Sequence, residues 1–166
     1  MLILAYGNPL RSDDGLAWRV ADALEAKFPS SQVEILRLHQ LTPELAERVS
    51  RANAVIFVDA ASADAGEYRP GEIRIEEIHA EKAGAFLQSR FSHHLTPGLV
   101  VTLASQLYGA RARAFSATLT GENFEHGESL SAAVHDSLPE FTTRIEHLAR
   151  ELQSPVLAIF PRVRSS

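Results

Sequence analysis

Two short apolar runs, each halted by a polar turn or an acid, constrain the fold of this chain most. The first, MLILAY at residues 1–6, is followed by Gly7-Asn8-Pro9, and the second, AVIFV at residues 54–58, runs into Asp59. Continuous apolar runs of this length are typical of strands covered on both faces in a parallel sheet. Segments with helical spacing separate the runs, so the pattern predicts an α/β fold with a mainly parallel sheet.

Further strands are predicted where the sequence alternates between apolar and polar residues. Glu72–Ile78 is polar on one face and is therefore expected at a sheet edge. The other two predicted strands are Ser31–Leu38 and Ala112–Leu119.

Four helices are predicted from apolar spacing and end signals. The first follows Ser12-Asp13-Asp14, and the second opens with Thr42 as cap and Pro43 at the first helical position. The third runs from Thr96-Pro97 to Gly109. The last is capped by Ser129 or Ser131, and Pro139 is expected to kink it.

Length and composition narrow the class of protein. The 166 residues fit one domain, predicted at residues 1–152 with a partly ordered tail at 153–166. The absence of Cys excludes disulfides, thiolate metal sites and a cysteine nucleophile. A net charge of −5 gives no field for nucleic acid or anionic lipid, and no apolar run is long enough to span a bilayer. The N-terminal residues lack the features of a secretory signal, so we expect a cytoplasmic protein.

Acidic residues follow two of the predicted strands. Asp13 and Asp14 come after the first, and Asp59 ends the 54–58 run. If the strand order is 2-1-3, Asp14 and Asp59 face one crevice at the carboxyl edge of the sheet. The pair His93-His94 precedes the third long helix, and two acids with an imidazole suit a divalent ion such as Ni²⁺, Zn²⁺, Mn²⁺ or Fe²⁺.

Each of these residues also has a simpler interpretation. Asp13 and Asp14 can cap a helix, Asp59 can accept hydrogen bonds from turn amides, and the two histidines can be solvated. The residues alone predict no more than a metal or polar-ligand site. G-x-S-x-G, H-E-x-x-H, Walker A and G-x-G-x-x-G motifs are all absent.

Four blocks of sequence resemble the hydrogenase maturation proteases in the same order. They are LILAYGNPLRSDDGLAWRVADAL, VIFVDAASADAGEYRPGEI, FSHHLTPGLVVTLASQLYG and TLTGENFEHGESLSAAV, and the match covers the chain from Leu2 to about Leu152. The resemblance implies a three-layer α/β sandwich of the phosphorylase/hydrolase-like type, with about five strands and helices on both faces. It also implies an endopeptidase that removes the C-terminal extension of a nickel–iron hydrogenase large-subunit precursor after nickel insertion.

The family's metal-contacting residues fall on Asp14, Asp59 and His94, which the resemblance makes the catalytic and nickel-contacting set, with His93 as the rival for the imidazole. The nickel is supplied by the precursor, although the isolated protein could hold another divalent ion. The ion either bridges enzyme and precursor or takes part in the chemistry. Many members carry Glu where Asp14 stands.

A second departure from the family falls after the second strand, where an Asp-Gly-Gly-Thr-like segment is replaced by Arg37–Thr42. His39 and Gln40 in that segment are candidate substrate contacts, as are Asn8 and His93. Asp13 acts either as a base or, as we favour, as a helix cap. The expected partner is the hydrogenase large-subunit precursor, with no nucleic acid or membrane, and the protein is expected to be a monomer or weak oligomer.

Three other functions remain open from the sequence. The first is a different metal-dependent peptidase on the same kind of sheet. The second is a nickel-binding chaperone that holds or delivers the ion, and the third is a module that binds a small ligand.

Overall fold

Among the described residues, a five-stranded sheet forms the centre of the protein, and its strands, in their order across the sheet, are β2 (Glu34–Leu38), β1 (Leu2–Tyr6), β3 (Ala54–Ser62), β5 (Arg113–Gly121) and β4 (Ile73–Ile78). The structure is a computed structural model that describes residues 1–63, 68–80 and 95–154. All neighbouring strands pair in parallel except β4, which lies antiparallel to β5 at one edge. The predicted mainly parallel sheet and its edge strand are therefore confirmed, and the sheet contains the β2-β1-β3 order on which the predicted crevice depends.

In the described ranges, four helices cover the two faces of the sheet. A 3₁₀ turn at Ser12–Gly15 leads into the first of them. The helices are α1 (Leu16–Glu25), α2 (Leu45–Arg51), α3 (Pro97–Tyr108) and α4 (Ala132–Gln153). The described residues thus form the three-layer α/β sandwich that was predicted.

The core consists of two apolar clusters, one on each face of the sheet. On one face, α1 and α4 pack against side chains such as Ile3, Ile56 and Ala117. On the other, α2 and α3 pack against alternate residues of the same strands, including Leu4 and Phe57. Side chains of a strand point to opposite faces in turn, so continuous apolar strands supply both clusters.

Helix ends follow the predicted chemistry at two of the four helices. The Thr96 hydroxyl oxygen accepts the Leu99 N–H at 3.2 Å, and Gly109 ends α3 in the left-handed conformation with φ 66°. Ser131 rather than Ser129 caps α4, since its hydroxyl oxygen accepts the Val134 N–H at 3.4 Å. The helix α4 continues through Pro139 to Gln153.

Several predicted boundaries are wrong. The strand β2 begins at Glu34 rather than Ser31, and β5 ends at Gly121 rather than Leu119. The helix α2 begins at Leu45 and has no side-chain cap, because Thr42 and Pro43 form a turn in which the Thr42 carbonyl accepts the Leu45 N–H. The strand β3 does not end at residue 58 but continues to Ser62, since β5 pairs with it along that whole length. Asp59 therefore lies within a strand rather than at its end.

Residues 155–166 of the predicted tail lie outside the described ranges, so the division at residue 152 stays a prediction. No helix within the described ranges is long and apolar enough to cross a membrane.

Candidate functional site

The sheet order brings the two predicted acids to one cavity. The strands β1 and β3 are parallel neighbours, so the turn after β1 and the far end of β3 meet at the carboxyl edge of the sheet. A cavity of about 760 Å³ opens there, and Asp14 and Asp59 both line it. Its other lining residues are Tyr6, Gly7, Asn8, Arg11, His39, Gln40, Leu41, Thr42, Pro43, Leu95, Thr96 and Pro97.

Asp14 is held by the turn that follows β1. Its Oδ2 accepts the Asn8 N–H at 2.9 Å. The close packing of the turn against Asp14 requires glycine at position 7. The φ of Gly7 is 140°, and an added Cβ would lie 2.1 Å from the backbone carbonyl oxygen of Asp14. Only glycine adopts this backbone conformation readily, so the glycine of the Gly-Asn-Pro turn sets the position of the acid.

Asp59 is partly buried in β3 and has an altered affinity for protons. Burial raises the pKa of Asp59 to about 7, and the negative charge of Asp14 acts in the same direction. The hydrogen bond from the Ala60 N–H to Oδ1, at 2.8 Å, opposes this increase in pKa, as does the nearby Tyr6 hydroxyl. Two carboxylates that repel each other across a shared cavity form an environment that a cation would stabilise.

Tyr6, which the sequence analysis did not select, is a third polar residue of this site. It is the last residue of β1 and lines the same cavity as Asp59. Burial and the Asp59 charge raise the pKa of Tyr6 well above its usual range, so the hydroxyl stays protonated. Strand alternation could have indicated that Tyr6 and Asp59 lie on the same face, because residues 2, 4 and 6 share a sheet face with residues 55, 57 and 59.

Asp13 does not cap the following helix, and the cap favoured from sequence is wrong. It is fully buried, and its carboxylate accepts the backbone N–H groups of Glu122, Asn123 and Ser131 at 2.8, 2.9 and 2.7 Å. Burial acts to raise the pKa of Asp13, but these amide hydrogen bonds outweigh it and hold the pKa below its usual range. Asp13 thus fixes the turn carrying Asp14 to the segment between β5 and α4.

Three of the predicted substrate contacts lie at the cavity. His39 packs against Trp18 with 5.2 Å between ring centroids, and Gln40 follows it along the cavity wall. The Asn8 side-chain oxygen accepts the Leu10 N–H at 3.0 Å, so this side chain stabilises the turn. No observation shows any of the three contacting a substrate.

The predicted imidazole donors, His93 and His94, lie outside the described residues, although Leu95, the next residue in the chain, lines the cavity. Within the described part of the chain, no three His, Cys, Asp or Glu residues are placed to hold one metal ion. The three-ligand site therefore stays a prediction, for which the structure supplies two carboxylates.

The fold matches solved structures of hydrogenase maturation proteases. The protein is similar to the [NiFe] hydrogenase maturation protease HybD from Thermococcus kodakarensis, with a TM-score of 0.65 and 21% identity over 89% of this chain and 97% of that one. It is also similar to the hydrogenase maturating endopeptidase HybD from E. coli, with a TM-score of 0.67 and 21% identity over 90% and 91% of the two chains. A third match is an endopeptidase from Escherichia coli, with a TM-score of 0.67 and 23% identity over 91% and 93%.

No protein-family model and no curated protein sequence matches the chain. At these identities the structural matches establish the fold, and they confirm the fold that the sequence resemblance predicted.

Proposed function

We propose that this protein belongs to the hydrogenase maturation proteases and is an endopeptidase that removes the C-terminal extension of a nickel–iron hydrogenase large-subunit precursor after nickel insertion. The observation that carries the proposal is the convergence of Asp14 and Asp59 on one open cavity at the carboxyl edge of the sheet. The similarity in fold to hydrogenase maturation proteases supports the choice of substrate. We propose the cytoplasm as the compartment of this reaction.

In this proposal, nickel is part of the precursor and is therefore substrate. The two carboxylates suit it, because they supply oxygen donors and because burial and the Asp14 charge both disfavour the charged form of Asp59. His94, or His93, would supply the third ligand. A bound ion can polarise a carbonyl or lower the pKa of a water, or it can serve only to bridge the two proteins.

The requirement for nickel follows from the same electrostatics. A precursor without nickel would cover two acids that nothing neutralises, which weakens binding. A loaded precursor brings the neutralising charge with it. The enzyme's own residues would thus distinguish a finished precursor from an unfinished one.

The substitutions Asp14→Asn, Asp59→Asn and His94→Ala test the proposal directly. Each should leave a folded protein that no longer shortens a nickel-loaded precursor, read from its gel mobility and the mass of the released peptide. Asp136→Asn and His135→Ala are matched controls, because both side chains are highly exposed on α4, with 82% and 78% of their surface accessible. Both controls should process the precursor at the wild-type rate.

Other outcomes would contradict the proposal in distinguishable ways. Normal cleavage by all three site variants would eliminate the proposed site. Cleavage of unrelated peptides without a hydrogenase precursor would indicate a different metal-dependent peptidase. Transfer of nickel without any change in precursor size would indicate a metal chaperone, and ligand binding that survives chelation would indicate a small-ligand module.

A further inference from the structure

We infer that Arg11 is a specificity-determining residue of this site, whose guanidinium binds an acidic side chain of the precursor segment that enters the cavity. Arg11 lines the cavity together with Asp14 and Asp59, and among the described lining residues it contributes the only guanidinium or ammonium group. The inference rests on the proposed function for the identity of the ligand. It adds to that function a requirement for a carboxylate in the precursor.

The backbone of Arg11 belongs to the same turn as Asp14. The Arg11 N–H donates to the Asn8 carbonyl oxygen at 3.0 Å, and the Arg11 carbonyl oxygen accepts the Asp14 N–H at 3.1 Å. Arg11 also forms a β-bridge with Gly127, whose N–H donates to the Leu10 carbonyl oxygen at 2.9 Å. The turn therefore holds the cationic residue and the acid in a fixed relation on the wall of one cavity.

The Arg11 side chain is held at one of its nitrogen atoms. Its Nε donates to the Phe124 carbonyl oxygen at 3.1 Å, which ties the guanidinium to the segment between β5 and α4. Among the residues that the structure describes, neither Nη1 nor Nη2 has a hydrogen-bond acceptor, and no ion pair joins Arg11 to Asp14 or Asp59. Because Arg11 is exposed, both amino groups of an already positioned guanidinium are available to a ligand.

The chemistry of the available groups favours a carboxylate as the ligand. Two guanidinium amino groups match the two oxygens of a carboxylate and bind it through parallel hydrogen bonds. A neutral peptide carbonyl could accept one of these hydrogen bonds but would leave the positive charge uncompensated. The two acids of the cavity repel a negative group, so Arg11 determines where along the bound segment an acidic side chain is accepted.

Arg11→Gln removes the charge and keeps a polar side chain. With nickel-loaded precursor, we expect KM to rise about tenfold while kcat stays within about twofold of wild type, because the lost interaction is one of binding. Added salt should reduce the difference in KM, since it screens exposed charges. An unchanged KM, whatever the effect on kcat, would show that Arg11 only holds the turn and would overturn the inference.

Arg111→Gln is the matched control for this substitution. Arg111 is exposed and does not line the cavity, so the variant loses the same charge at a distant site. It should keep the wild-type KM and kcat. An equal rise in KM for both variants would reflect the net charge of the protein and would overturn the assignment to Arg11.

Variants of the precursor supply the second half of the test. When each Asp or Glu near the cleavage site is replaced in turn by its amide, one precursor should show the same rise in KM with wild-type enzyme. That precursor should show no further rise with Arg11→Gln, since both changes remove one interaction. Additive effects for every precursor would overturn the inference and leave the proposed function standing. A wild-type protein that does not cleave the precursor at all would contradict the proposed function and the inference together.

Discussion

Asp13 and Asp59 show how the surroundings of a carboxyl group shift its pKa in opposite directions. Asp13 is buried among backbone N–H donors, and the pKa of its carboxyl is lowered. Asp59 is buried beside another acid, and its pKa is raised to about 7. The first arrangement stabilises a charge, whereas the second favours a proton or a cation.

Asp13→Ala should lower the free energy of unfolding at pH 7 by about 2–4 kcal/mol, because it leaves three backbone N–H groups without their acceptor. The folded-state pKa lies below the unfolded value of about 4, so the charged side chain stabilises the fold above that value. This contribution disappears as the pH falls through the folded-state pKa. Urea unfolding at pH 7 and near pH 3 should show the difference from wild type narrowing in acid, and a difference independent of pH would contradict this assignment.

Asp59→Asn should have the opposite effect on stability. The folded-state pKa of Asp59 is raised, so its contribution is present below about pH 4 and is lost as the pH rises toward 7. Asparagine resembles the neutral acid, and the variant should therefore be more stable than wild type at pH 8, by on the order of 1–3 kcal/mol, and similar to it at pH 4. Thermal unfolding at the two pH values measures this, and loss of soluble protein would instead show that Asp59 has a role in the fold.

At the scale of elements, the strands and helix ends with their own local signals could be predicted from the sequence. The buried runs at β1 and β3, the edge position of β4, and the Thr96 and Gly109 ends of α3 all follow from the nearby residues. The predictions that were wrong concern features that are fixed by residues far away in the sequence. The extension of β3 past Asp59 is fixed by pairing with β5, and the role of Asp13 is fixed by amides more than 100 residues away.

The candidate site divides in the same way. The convergence of Asp14 and Asp59 was predictable, because it needs only the strand order and the acids that follow two apolar runs. The placement of Tyr6 beside Asp59 depends on the relative register of β1 and β3, which was not predicted from the sequence. The imidazole of the predicted site stays a prediction.

Two glycine substitutions distinguish the cost of an unfavourable backbone conformation from the cost of steric crowding. Gly7 and Gly109 both have positive φ, but an added Cβ meets the Asp14 backbone at Gly7 and nothing within 4 Å at Gly109. Gly109→Ala should therefore lower the free energy of unfolding by about 1 kcal/mol, the conformational cost alone. Gly7→Ala should lower it by about 2–4 kcal/mol and also abolish processing, because the turn that carries Asp14 must move.

Denaturant unfolding of the two glycine variants measures this difference. Equal losses of stability, or normal processing by Gly7→Ala, would show that the turn relaxes around the new side chain. In that case the position of Asp14 would not depend on Gly7.

At the scale of the whole molecule, one apolar cluster packs α1 and α4 against the sheet, and the other lies on the face where the cavity opens. The cluster under α1 and α4 contains much of the long C-terminal helix, including the fully buried Phe141 and Ile145. The cavity lies at the carboxyl edge of the sheet, on the side that α2 and α3 cover. The segment before α2 and the start of α3 form part of its walls. The site can therefore vary in its loops while the opposite face maintains the fold.

The domain boundary predicted from sequence leads to a test of the whole chain. The last fully buried residue of α4 is Ala149, and the Ser154 N–H bonds to the carbonyls of Arg150 and Glu151 at the end of the helix. A chain ending at Ser154 keeps this helix end and both apolar clusters. We expect it to unfold in a single cooperative transition within about 3 °C of the full-length melting temperature and to process the precursor at the wild-type rate. Calorimetry and the gel assay measure both, and a chain that aggregates or melts well below full length would show that residues 155–166 complete the domain.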